Sequence, residues 1–156
     1  MFYLYLLLAL ALLTGALFIA PLRSKVWVAF TAVTAAAAAV AAPSISVLAG
    51  APAKTLARIE GPLFGCEQMA VDSLSALFLL IIAVSGMATV LYSRGYLQGY
   101  LTQKSSAHIS LHYVSLTILV LSMMMVVMSS GGFSFLLAWE LMTIASFLLI
   151  LFDAQR

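Results

Sequence analysis

The chain has 156 residues, 65% of them hydrophobic and 8% charged, with seven basic and five acidic side chains and a formal net charge of +2. A water-soluble domain carries about 25% charged residues, so too few charges are present to solvate a surface of this size, and the soluble enzyme folds are excluded. The charge is also too small and too scattered for a nucleic-acid reader or a polybasic membrane patch. Cys66 is the single cysteine, which rules out an internal disulfide and a cysteine metal cluster. At roughly 20 apolar residues per helical crossing, the length accommodates about five spans, and the expected class is an all-α polytopic membrane protein.

Residues 2–20 are apolar apart from Thr14 and the tyrosine hydroxyls, and Pro21, Arg23, Ser24 and Lys25 form the first polar break. The charges follow the apolar run, whereas a secretory leader carries them in front of a shorter one, so this segment reads as a retained first span. The second run, 26–51, has Trp27 as an interfacial anchor, an alanine tract at 35–39 that offers a smooth packing face, and Pro43, which is expected to end or kink the helix. Residues 52–71 bring in Lys54, Arg58, Glu60 and Glu67 among the turn signals Gly61-Pro62 and Gly65, and read as the longest polar loop.

The third run, 72–92, opens on Asp72, which is spaced as an N-cap whose carboxylate satisfies the free amides of the first turn. Tyr92, Tyr96 and Tyr100 recur every four residues beside Arg94, as in a short helical extension at the membrane interface. A fourth span is expected over 111–129, and Gly131-Gly132 reads as a tight turn into a fifth, 133–152. Counting basic residues by loop places Arg23, Lys25, Arg94, Lys104 and Arg156 on one side and Lys54 with Arg58 on the other. The positive-inside rule then puts the amino terminus outside and the carboxy terminus in the cytoplasm.

Glu140 is the residue that the bilayer does not explain. It is the eighth residue of the expected fifth span, about 10 to 12 Å from the outer edge of a hydrocarbon core roughly 30 Å thick. A charge near a helix centre costs about 2.5 to 3.5 kcal/mol even on the lenient insertion scale, so such residues normally face a bundle interior or a wet cavity and have a function. A carboxyl that gains and loses its proton as a positive charge approaches and retreats is the core of a proton relay. The alternative is a neutral glutamic acid that bonds a neighbouring helix. Thr143, one turn further on, is placed to supply a hydroxyl. Every Lys and Arg falls in a loop or at a helix end, so the cation is expected from elsewhere.

Other polar residues carry weaker signals. Ser115, Ser122 and Ser129 repeat every seven residues, as a packing seam or a polar one, and Met123, Met124, Met125 and Met128 read as adaptable packing. His108 and His112 have the i, i+4 spacing of a helical metal pair. With no third ligand they read as interfacial histidines, proton entry being the lesser alternative, and no metal site is assigned. No cysteine, histidine or glycine-rich motif is present to hold a redox cofactor, so none is expected.

Two segments carry a family resemblance: Val71-Asp72-Ser73-Leu74-Ser75-Ala76-Leu77-Phe78 and Trp139-Glu140-Leu141-Met142-Thr143-Ile144-Ala145-Ser146-Phe147. They resemble the antiporter-like proton-translocating membrane subunits shared by respiratory complex I, multisubunit cation/proton antiporters and membrane-bound hydrogenases. Within that family the chain is most similar to the large membrane subunit of hydrogenase 4 and formate hydrogenlyase. The resemblance implies that Glu140 matches the family's fifth-helix glutamate, which pairs with a lysine on a later, discontinuous helix. It further implies membrane and peripheral partner subunits of an oxidoreductase complex, protons or sodium as the transported ion, and a bacterial or archaeal plasma membrane. The lysine-bearing helices have no counterpart within residues 1–156, so the chain is expected to match the amino-terminal portion of a family member. A non-catalytic membrane scaffold is the rival expectation, and a small transporter that forms its own pore is the third.

Overall fold

The computed structural model describes residues 12–21, 24–61, 65–99 and 105–154. Its elements in chain order are α1, described over residues 12–19; α2, Lys25–Leu48; the strands β1, Lys54–Gly61, and β2, Gly65–Val71; then α3, Ser73–Gln98; α4, Ser106–Met128; and α5, Gly132–Ala154. Helices α2 to α5 are each long and apolar enough to cross a bilayer, and the chain is a helical multi-pass membrane protein with one small hairpin. Of the first expected span, 2–20, the residues before 12 lie outside the described set, as do Arg23, Tyr100, Lys104 and Arg156.

Several helix ends differ from those expected, because the backbone ladder does not stop where hydrophobicity does. Helix α3 runs on from Tyr92 to Gln98, so the expected helical extension is continuous with the span and carries Tyr92 and Tyr96. Helix α4 begins at Ser106, after Ser105 in an extended conformation (φ −67°, ψ 156°), and not at 111. Pro43 does not end α2: the helix continues to Leu48, and the Ser46 hydroxyl donates to the Pro43 carbonyl at 2.8 Å. It stops where the Ala49 and Gly50 amides turn back onto the Ile45 and Val47 carbonyls, with Gly50 at φ +101°, a left-handed conformation that a Cβ would strain.

The segment expected as a polar loop is instead an antiparallel hairpin. Thr55 faces Ala70, Arg58 faces Gln68 and Ile59 faces Glu67, with an irregularity between Thr55 and Ala57. On β2 the side chains alternate: Glu67, Met69 and Val71 are buried while Cys66 is exposed. That is the period of a strand with one covered face. A glutamate at one of the inward positions hides the pattern from a reading by hydrophobicity.

Helix α2 packs along α3, and α4 packs along α5 while also touching α2, α3 and β2. Half of the α4 span is buried against 17% of the α5 span, which makes α4 the central helix and α5 a one-sided one. The hairpin, the start of α3, the end of α4 and the start of α5 share one end of the bundle, as the bond from the Ser75 hydroxyl to the Val127 carbonyl (2.9 Å) requires. Lys25 and Arg94 lie at the opposite end, where the Arg94 guanidinium stands 5.9 Å over the Trp27 ring. The three inner helices meet at Gly86. A Cβ there would lie 2.7 Å from Val120 Cγ1 and 3.5 Å from Val33 Cγ1. Gly86→Ala is expected to destabilise the bundle by about 1 to 3 kcal/mol through overpacking, read as a lower midpoint in unfolding from detergent micelles; an unchanged midpoint would show that Val120 can move aside.

Candidate functional site

Only one face of α5 is covered. Ser134, Ala138, Ala145 and Phe152 are buried, and since α4 is the main helix that α5 touches, this stripe lies against α4. Of the serines that repeat on α4, Ser122 and Ser129 return their hydroxyls to the Leu119 and Met125 carbonyls of their own helix (2.9 and 2.7 Å), and Ser115 Oγ is buried without a hydrogen-bond partner among the described residues. Small side chains such as Ser134, Ala138 and Ala145 let two membrane helices approach closely.

Glu140 lies on the other side of α5. At 100° per residue it is about 200° round from Ala138, and it is exposed together with Leu136, Trp139, Ile144 and Phe147. No hydrogen bond or ion pair joins it to another described residue. The expectation that it faces the interior of the bundle is therefore not what the described residues form: the face is open. Thr143 is also exposed, but its hydroxyl donates to the Trp139 carbonyl at 3.0 Å, so it serves its own helix and not the carboxyl. Trp139 stacks edge-on to Phe135 with centroids 5.4 Å apart, which stiffens this face beside Glu140.

Lys25 lies at a helix end, as expected of every basic residue, but its side chain is enclosed. It is the first residue of α2, yet it is fully buried. Its ammonium donates to the Ser106 carbonyl at 3.2 Å and to the Ser110 hydroxyl, and Ser110 Oγ in turn lies 3.0 Å from the Leu17 carbonyl. The cation thus ties α2 and α1 to the first turn of α4. It sits at the end of the bundle away from the hairpin and is not a partner for Glu140.

The two histidines do not form a metal pair. His108 is exposed, with Nδ1 2.9 Å from the Ser105 hydroxyl. His112 is buried among the rings of Phe152, Tyr113 and Tyr96, at centroid distances of 4.8, 5.8 and 6.2 Å. Among the described residues no group of three or more His, Cys, Asp or Glu side chains could hold a metal ion.

Two acidic residues act as helix caps. Asp72 accepts from the Ser75 amide at 2.7 Å, as its spacing predicts. Asp72→Ala is expected to cost about 1 kcal/mol, the usual cost of a lost cap, seen as faster amide exchange in the first turn of α3; unchanged exchange there would show that water caps it as well. Sequence reasoning missed the second. Glu67, buried on β2, accepts from the Phe133 amide through Oε1 and the Ser134 amide through Oε2, each at 3.2 Å. The Gly131 carbonyl accepts the first helical bond of α5, from Phe135 at 3.1 Å, so glycine holds the N-cap place and a distant carboxylate supplies the missing side chain.

Both carboxyls are held below their ordinary values, Glu67 first by the Ser134 hydroxyl and then by the two amides, Asp72 first by the Ser75 amide. A depressed folded value stabilises the fold above the ordinary value and loses that contribution as pH falls. The hairpin end should therefore be insensitive to pH above 4.5 and loosen only below it, Asp72 following below 3.8. Amide exchange at Ser134 and Ser75 measures this, and loosening near neutral pH would contradict it.

No family model matches the chain, and no solved structure matches it. Over 78 residues, half of the chain, it is 36% identical to NADH-ubiquinone oxidoreductase chain 5 of Ascaris suum, and it spans 13% of that protein's length. This similarity supports the broad resemblance to antiporter-like membrane subunits and does not distinguish the hydrogenase 4 branch.

Proposed function

We propose that the chain forms part of a proton-translocating, antiporter-like membrane subunit of an oxidoreductase complex, with Glu140 as the intramembrane carboxylate that takes up and hands on the proton. The observation that carries this reading is the placement of Glu140: within an apolar span, on the open face of α5, with no described partner. A carboxyl in that position is stable only if another helix covers it with polar groups or a cation, and the coupling logic is that the cation's approach favours the charged form and its retreat favours proton uptake. Nothing in this relay requires a cofactor in the chain; electron transfer belongs to partner subunits. The narrower parts of the proposal are a hydrogenase-4-like assembly, a position matching the front of a longer family member, and the plasma membrane as its location.

The test is carboxyl modification in membranes with a hydrophobic carbodiimide. The expected result is a mass addition on Glu140 together with loss of proton translocation. Translocation that survives complete modification of Glu140 would leave the scaffold reading in its place, and sodium-dependent protection of Glu140 from the reagent would make sodium the transported ion.

A further inference from the structure

Helix α5 is covered along one face only. Only 17% of its span is buried, on a stripe of Ser134, Ala138, Ala145 and Phe152 that meets α4. Its start, by contrast, is held by a run of polar attachments to β2. The Ser130 amide donates to the Gln68 carbonyl at 2.9 Å, Met69 and Ser129 form an antiparallel bridge, and both oxygens of Glu67 take amides of the first turn of α5. Gly131 makes this possible, because a Cβ at that position would fall on the Glu67 carboxylate itself.

We infer that Glu67 is a positioning residue for Glu140: from β2 it fixes the depth and rotation of α5, and Gly131 is the gap through which it reaches. This deepens the relay reading of Glu140 and rests on it. Glu140 lies six residues beyond Ser134, about 9 Å along the helix axis, and a slip by one residue would move it about 1.5 Å and turn it about 100°. A carboxyl that must meet a cation on another helix tolerates no such turn. The hairpin is then the fixed point against which the relay is aligned, because the two hydrogen bonds to the carboxylate have defined directions.

The experiment places a reporter cysteine at Leu136 or Thr143 on the open face of α5, with Ser85 on the exposed face of α3 as control, in full-length protein carrying Cys66→Ser and assembled in membranes. Labelling with a membrane-permeant maleimide is followed in four backgrounds: Glu67→Ala, Glu67→Gln, Gly131→Ala, and Glu67→Ala with Gly131→Ala. The expected result is a roughly fivefold change in the labelling rate at the α5 reporters for Glu67→Ala, a smaller change for Glu67→Gln, which keeps one acceptor oxygen, and none at Ser85. Gly131→Ala should reproduce the effect alone and add nothing to Glu67→Ala, because the clash disappears with the carboxylate. Unchanged labelling at α5, or an equal change at Ser85 as in general loosening, overturns the inference. Proton translocation is measured on the same membranes with Glu140→Gln alongside. If Glu140→Gln translocates normally, the relay reading fails by itself, and the labelling still decides whether Glu67 places α5.

Discussion

Glu140→Gln is expected to lower proton translocation by the assembled complex roughly a hundredfold or more, the low end of what a lost proton-transfer group costs, while the amount of complex in the membrane stays the same. The substitution keeps the size of the side chain and its capacity to hydrogen-bond, and removes only the exchangeable proton. Assembly should survive because Glu140 makes no described hydrogen bond, lies on the exposed face of α5, and leaves the buried stripe of Ser134, Ala138, Ala145 and Phe152 untouched. Glu140→Asp should retain part of the activity: the acid is still present but one methylene short of its place. Glu140→Leu separates the two roles a carboxyl can have here. If Glu140 only bonds a neighbouring helix, the leucine variant assembles poorly and the glutamine variant works; if it relays protons, both assemble and neither translocates. Translocation in inverted membrane vesicles, with complex quantified on the same preparation, reads both, and full activity of the glutamine variant ends the relay reading.

What the sequence discloses depends on how far apart the partners lie. The apolar runs of α2 to α5 are legible because a helix satisfies its own backbone and its period is local. The Asp72 cap is legible for the same reason, since acceptor and donor are three residues apart. Glu140 is conspicuous as a charge inside an apolar run, but the direction it faces is not, because that depends on which side of α5 meets α4. Glu67 could not be assigned: its donors are 66 and 67 residues away, and nothing nearby marks it except the absence of a capping side chain at Gly131. The position of Lys25 at a helix end is legible, but its burial is not, because that arises only where the first turns of α4, 81 to 85 residues on, close over it.

Ser110→Val is expected to be far more damaging than Lys25→Met, although serine is the smaller and less charged residue. The buried ammonium of Lys25 has the Ser110 hydroxyl and the Ser106 carbonyl as its acceptors, and Ser110 Oγ is also joined to Leu17 and to Ser106 of its own helix. Valine removes the hydroxyl and leaves the buried ammonium with the Ser106 carbonyl alone, which costs about 1 to 3 kcal/mol for the lost acceptor. Methionine in place of Lys25 removes the charge along with the need to solvate it, fills a similar volume, and leaves Ser110 its carbonyl acceptors. Replacing a buried ionic group by an apolar one of matching size is often neutral or stabilising. Double replacement, Lys25→Met with Ser110→Val, should recover most of what Ser110→Val loses, and the midpoint of thermal unfolding in detergent measures the series. If Lys25→Met is instead the more damaging change, the ammonium contributes more to the fold than its desolvation costs, and the reading of it as a replaceable buried charge is overturned.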